Sequence, residues 1–294
     1  MKIFVLFKHI MRNKILLLAA LLLMAGMRSM MARTQYSHAD SIKVVQLLQK
    51  AGKQKKGTNY MIFFARELRD IPYVAKTLEV NKEERLIVNL RQLDCTTYVE
   101  SVVALTECMK HGKRTFGDYC DYLRQIRYKG GKIGYPYRLH YFSVWITDNT
   151  QMGFVEEVQT PNPPFTRIQN INVDYMTTHP QLYPMLMAHK EWIKEIDKLE
   201  KEVSGKQKRY IPKNAINNNK ACRAAIHDGD IIAIITRKKG LDTSHIGIAV
   251  WHKDGLHMLN ASQIHKKVVE EPMLLRAYMQ KHPSQVGIRI IRVK

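Results

Sequence analysis

Leu93-Asp94-Cys95-Thr96-Thr97-Tyr98-Val99-Glu100 places a cysteine at the first position of a predicted helix. Asp94 is a good N-cap, because its carboxylate accepts from the orphan N–H groups of a first turn. Beyond it, Tyr98, Val102, Leu105 and Met109 recur about one turn apart. Lys110 and His111 stand at the carboxyl end, and Gly112 is suited to close the helix. A thiol on the first turn faces the positive end of the helix dipole, which favours the nucleophilic thiolate. A lone cysteine is more often an inert interior thiol, so the rest of the chain has to decide.

The decision comes about 150 residues later. Ile226-His227-Asp228-Gly229-Asp230 reads as a turn entering the apolar, β-branched strand Ile231 to Ile235. Ser244-His245-Ile246-Gly247-Ile248-Ala249-Val250 follows as a second strand and Leu256 to Ala261 as a third. The last two form a predicted hairpin around Lys253-Asp254-Gly255. A two-residue Asp254-Gly255 turn pairs Asn260 with Ala249, whereas a four-residue loop from His252 to Gly255 pairs it with Gly247. Either register puts His245 and Asn260 on one face. A Cys–His–Asn set follows, with imidazole as base and amide as orienter.

Taken together, the blocks Asp94-Cys95-Thr96, Asp228-Gly229-Asp230, Ser244-His245-Ile246-Gly247 and Asn260-Ala261-Ser262 resemble the NlpC-type cell-wall peptidase superfamily. The resemblance implies an α+β, papain-like fold, with the catalytic Cys at a helix N-terminus packed on an antiparallel sheet that carries the His. Common members have Tyr before the Asp-Cys pair and Ser-Gly after it; Leu93 and Thr96-Thr97 stand there instead, with Glu100 one turn on. That variant, with Arg138-Leu139-His140-Tyr141-Phe142 and Trp145, resembles a branch of N-acetylmuramoyl-L-alanine amidase-like proteins. The likeness runs from about Thr58 to Val293. Asn260 stands where many members have His, and asparagine can orient an imidazole.

Residues 1–32 read as a signal peptide: Lys2, Lys8, Arg12 and Lys14 precede an apolar run from Ile15 to Met27. That run is shorter than the ~20 residues of a membrane span, which makes an uncleaved anchor the weaker alternative. The protein is therefore expected to be exported, in the periplasm. Residues 33–294 read as a single papain-like amidase domain, with an N-terminal helical extension (about 33–84) and an insertion (about 151–212). Predicted helices run from Asp40 to Gln49, Asn59 to Leu68, Thr115 to Arg127, and Pro184 to about Val203. Arg85 to Leu90 and Val286 to Val293 are predicted strands.

The formal charge is +21; five basic and no acidic side chains lie in the first 32 residues, leaving +16 on the remainder. The basic residues are scattered, and no nucleic-acid-binding motif accompanies them. Carboxylate-rich peptidoglycan or muropeptide is the expected partner, with peripheral contact to an anionic membrane surface as a second reading of the charge. Cys95 and Cys108 lie too far apart along one helix to pair, and Cys108, Cys120 and Cys222 read as interior thiols. No zinc motif is present, so no metal or other cofactor is expected; His252, His257 and His265 read as surface or turn residues.

These readings combine in a cysteine amidase, and the branch resemblance implies that it hydrolyses the lactyl–L-alanine amide of peptidoglycan fragments. Cys95 is the nucleophile, His245 the base and Asn260 the orienter. A γ-D-glutamyl–diaminopimelate endopeptidase or a non-hydrolytic acyltransferase of the same fold are the alternatives. Asp94, Arg138, His140, Tyr141 and Ser244 are the expected substrate-binding residues. Alternation from Arg138 to Trp145 predicts a strand beside the cleft, with Arg138 clamping a stem-peptide carboxylate.

Overall fold

Each central strand of the sheet is buried on both faces, and strand Ile231–Thr236 shows how. Its Ile231 and Ala233 join a large cluster on one side, while Ile232 and Ile234 join a smaller cluster on the other. A continuous apolar run is what a strand covered on both sides requires.

A computed structural model describes residues 34–294; the predicted leader lies outside these. The chain opens with strand β1 (Thr34–Gln35), helices α1 (His38–Gly52) and α2 (Tyr60–Glu67), and strand β2 (Leu86–Ile87). Helices α3 (Cys95–Lys110), α4 (Phe116–Arg127) and α5 (Phe142–Gln151) follow. Next come β3 (Val155–Glu157), β4 (Arg167–Asn170), the short helices α6 (Tyr175–Thr178) and α7 (Pro184–Ala188), then α8 (Trp192–Val203). The remainder is β5 (Gln207–Pro212), α9 (Lys220–Ala225), β6 (Ile231–Thr236), β7 (Thr243–Trp251), β8 (Leu256–Ser262), β9 (Lys267–Glu270), α10 (Leu275–Gln280) and β10 (Gln285–Val293).

The larger sheet runs β4-β5-β10-β6-β7-β8-β9, with β3 also paired to β10, and its pairings are antiparallel. The protein is thus α+β, with an antiparallel sheet. Helix α3 is buried from Thr97 to Met109. Its Val99, Val102 and Val103 share a core with Val44 of α1, Phe64 of α2, and Ile246 and Leu259 of the sheet. The N-terminal helices therefore form part of the wall around α3. Among the described residues, no helix is long and apolar enough to cross a membrane. All four cysteines are free thiols, and Cys108, Cys120 and Cys222 are buried.

Two local expectations are corrected. The segment from Arg138 to Trp145 is not a strand: from Phe142 it is helix α5. The signal for that helix is tertiary, because Asp242, far along the chain, accepts from the first-turn N–H of Ser143 at 2.6 Å. The predicted helix from Pro184 to Val203 is broken, with α7 and α8 separated around His189–Glu191. The insertion also carries β3, β4 and β5, whose short and partly exposed strands have little apolar alternation.

Candidate active site

Helix α3 starts where it does because of a reciprocal cap. Asp94 Oδ1 accepts from the Thr97 backbone N–H at 2.8 Å, and Thr97 Oγ1 accepts from the Asp94 N–H at 2.9 Å. This fixes Cys95 as the first helical residue. Cys95 is half-buried. The backbone N–H of Ile246, the residue after His245, and Thr96 act on its sulfur and favour the thiolate. Helix start and strand β7 therefore meet at the sulfur.

Strand register brings the third residue in. Ile248 pairs with Leu259 and Trp251 with Leu256, so continuing the ladder sets Asn260 opposite Gly247. This is the register of a four-residue loop from His252 to Gly255, closed by a His252 N–H to Gly255 carbonyl bond of 2.8 Å. His245 is then a diagonal neighbour of Asn260, and its Nε2–H donates to Asn260 Oδ1 at 3.0 Å. Asn260 is fully buried, and its Nδ2 reaches the Met258 carbonyl at 3.5 Å. Since Nε2 carries the hydrogen, Nδ1 of His245 keeps the lone pair.

Gly247 makes this spacing possible. A Cβ there would lie 2.5 Å from Met258 Cγ and 2.8 Å from the Leu259 carbonyl oxygen. A β-bulge between Ile234 and Ile235 precedes His245, leaving Ser244 outside the regular ladder. Ser244 is exposed, and its hydroxyl donates to the Ile234 carbonyl at 3.4 Å.

The electrostatics differ from the dipole argument. Burial pushes the Cys95 thiol up to about 12, and the Asp94 carboxylate adds to the rise; the Ile246 N–H and Thr96 pull the other way without prevailing. Burial also lowers His245 below its ordinary 6.5, against its hydrogen bond to Asn260 and the charges of Asp94 and Glu271. Both shifts favour the neutral thiol and the neutral imidazole over a preformed ion pair.

Two aromatic neighbours had no motif to announce them. The ring of Tyr278, on α10, lies 6.5 Å from that of His245, and its phenol is within electrostatic reach of Cys95. Tyr73 feels both Cys95 and Asp94, and with burial these push its phenol up to about 12. Its backbone bridges to Leu93, just ahead of the cap. Each tyrosine comes from a stretch far from the motif blocks, so only the fold brings it here.

The other expected substrate residues are held elsewhere. Arg138 is buried in ion pairs with Glu79 and Glu84 and donates to the Leu78 carbonyl at 3.3 Å. His140 donates from Nε2 to the Tyr135 carbonyl at 2.9 Å; burial and the adjacent Arg138 push it down to about 3. Tyr141 is buried, its hydroxyl donating to Glu200 of α8 at 2.6 Å. These three tie the insertion and the N-terminal segment to the core, because the strand that was to project them toward the cleft does not form. Asp94 acts as a cap. The Asp228-Gly229-Asp230 block is likewise structural: Asp230 is ion-paired with Arg292 at 2.7 Å, and Asp228 accepts from the Trp251 N–H at 2.6 Å. Glu100 is buried against Arg127 at 2.6 Å.

Comparison with known proteins identifies the family. The model of the AmiA-like, N-acetylmuramoyl-L-alanine amidase-like family matches residues 63–288. The chain belongs to this family. A solved N-acetylmuramoyl-L-alanine amidase of Bacteroides uniformis shares 36% identity with a TM-score of 0.75, covering 82% of this chain and 100% of its own. A Bacteroides fragilis protein provisionally named a xylanase shares 40% identity with a TM-score of 0.72, over 78% of this chain and 99% of its own. A Legionella pneumophila protein, 22% identical with a TM-score of 0.66 over 86% of this chain and 94% of its own, shares the fold. A search of curated proteins finds no match. This AmiA-like chain is thus an amidase-like protein whose family points to a peptidoglycan-type substrate.

Proposed function

We propose that this AmiA-like protein is a cysteine amidase of papain-like type that cleaves the amide between the lactyl group of N-acetylmuramic acid and L-alanine. The observation that carries the reading is the His245 Nε2 to Asn260 Oδ1 bond of 3.0 Å, on a strand whose next residue, Ile246, acts through its N–H on the Cys95 thiol. An orienting amide behind an imidazole, with a thiol at a helix start, suits acyl transfer through a thioester.

In this mechanism the Cys95 sulfur attacks the lactyl carbonyl carbon as Nδ1 of His245 takes the thiol proton. The oxyanion gains support from the backbone N–H at the start of α3. His245 returns the proton to the departing L-alanine nitrogen, and the C–N bond breaks. A water, deprotonated by the same imidazole, then releases the muramic acid carboxylate and restores the thiol. Because thiol and imidazole start neutral, proton transfer accompanies attack. A glycosidase reading gains nothing from the site. Such enzymes need a free pair of carboxylates, whereas Asp94 is held in the cap and Glu271 accepts from His265 at 3.1 Å.

Mass spectrometry of a muropeptide digest tests the reaction. Release of the intact stem peptide with free N-acetylmuramic acid is the expected result. A sugar still carrying the first two stem residues would mean an endopeptidase, and unchanged muropeptides would remove the assignment.

A further inference from the structure

The tip of the β7–β8 hairpin gathers three ligand-type side chains at the end of β7 remote from His245. One nitrogen or oxygen from each of His252, Asp254 and His257 lies within 4.8 Å of the others. His252 and His257 stack with ring centroids 4.3 Å apart. Two imidazoles and a carboxylate on a six-residue stretch form a donor set suited to a zinc-type divalent cation.

The hydrogen bonds behind these rings support that reading. His257 is buried, and its Nδ1–H donates to the Glu271 backbone carbonyl at 2.9 Å. Its Nε2 faces both carboxylate oxygens of Asp254, 3.2 Å away. A ring nitrogen and a carboxylate this close share a proton or a metal ion. His252 is fixed in a similar way: its Nε2–H donates to Glu270 Oε1 at 2.7 Å, leaving Nδ1 as the free donor. Glu270 is itself held by the Arg66 guanidinium, at 2.9 and 3.0 Å. Metal-binding histidines characteristically give their second N–H to a carboxylate or a backbone carbonyl. Here one ring has each.

We propose that His252, Asp254 and His257 form a binding site for a zinc-type divalent cation, with water completing the coordination. Zinc bonds of about 2.0–2.2 Å require donors closer than 4.8 Å, so the three side chains draw together on binding. The site has no part in the chemistry. Seven residue steps along and just past β7 separate His252 from His245, about 23 Å of backbone. Its effect is to cross-link the loop that joins the strand of the base to the strand of its orienter, stabilising the hairpin by selective binding to the folded state.

The test uses the full chain without an affinity tag, stripped with EDTA and dialysed, then titrated with zinc chloride or cobalt chloride. Zinc at about a hundred times its dissociation constant should raise the melting temperature by roughly 5 °C or more. Cobalt should give visible bands of a nitrogen- and oxygen-ligated ion. The variant His252→Gln/Asp254→Asn replaces two exposed side chains and should melt like the metal-free parent, without either response. Muropeptide hydrolysis at 25 °C should be unaffected by EDTA. Absence of any zinc shift in the parent would overturn the proposal. So would a shift or cobalt spectrum that survives in the variant, since the metal would then sit elsewhere, for example on Cys95.

Discussion

His245 and Asn260 are joined by a hydrogen bond of 3.0 Å across the β7–β8 hairpin, although neither is the ladder partner of the other. The offset is a consequence of the four-residue loop, and it settles which ring nitrogen is left to act as base. Cys95→Ala and His245→Ala are each expected to abolish hydrolysis. Asn260→Ala should cost less in kcat, about 10- to 100-fold, because water can accept the imidazole N–H in its place. It should nevertheless lower the melting temperature, since Asn260 is fully buried and its loss strands a polar partner. Kinetics and thermal melts of the three variants check this order. A larger kinetic loss for Asn260→Ala than for His245→Ala would remove the orienter assignment.

Burial holds the thiol high and the imidazole low, and the pH dependence follows from those directions. A lowered His245 stays neutral, hence basic, to below pH 6.5. The acid limb of kcat/KM should lie under that value and the plateau should run past pH 9. At pH 7, alkylation of Cys95 by iodoacetamide should be slow. Asp94→Asn keeps a competent cap but removes a charge that raises the thiol. Alkylation should therefore speed up several-fold with little change in melting temperature. A rapid, pH-independent alkylation of the parent would mean an ion pair is already present.

Arg138 tests the correction of an expected substrate clamp to a scaffold. It is 5% exposed and paired with Glu79 and Glu84. A lysine cannot reproduce a guanidinium that serves two carboxylates and a carbonyl. Arg138→Lys should cost about 3 kcal/mol, on the scale of a broken buried pair. Denaturant melts should show that loss while KM stays near the parent value. A sharp rise in KM at unchanged stability would return Arg138 to the substrate.

Gly247→Ala probes the hairpin spacing. The new methyl would meet Met258 and the Leu259 carbonyl, and a backbone oxygen cannot step aside as a flexible side chain does. A loss of about 1–3 kcal/mol, with a fall in kcat as β8 is pushed from β7, is the expected outcome of melts and kinetics. Normal activity and stability would show that the His245–Asn260 distance is not set here.

What was legible in the sequence is what local chemistry writes. The Asp94 cap, the α3 periodicity, the apolar strand from Ile231 and the shared face of His245 and Asn260 each follow from residue type and spacing. What was hidden depends on contacts between distant segments. Helix α5 is capped by Asp242, Tyr73 and Tyr278 come near the cysteine from segments before and after the motif blocks, and Arg138 meets Glu79 and Glu84 more than fifty residues earlier in the chain. The thiolate expectation failed for a related reason. The dipole is a local term, while the desolvation of Cys95 is set by everything packed around it.

The central claim is that Cys95 carries the muramoyl group as a thioester. Intact-protein mass spectrometry of an acid-quenched reaction with N-acetylmuramoyl-tripeptide, followed by peptide mapping, reads this directly. The account predicts a species heavier by one muramoyl acyl group, located on the peptide containing Cys95 and absent from Cys95→Ala. An adduct of L-alanyl-γ-D-glutamyl mass, an adduct on another residue, or turnover by Cys95→Ala would contradict it.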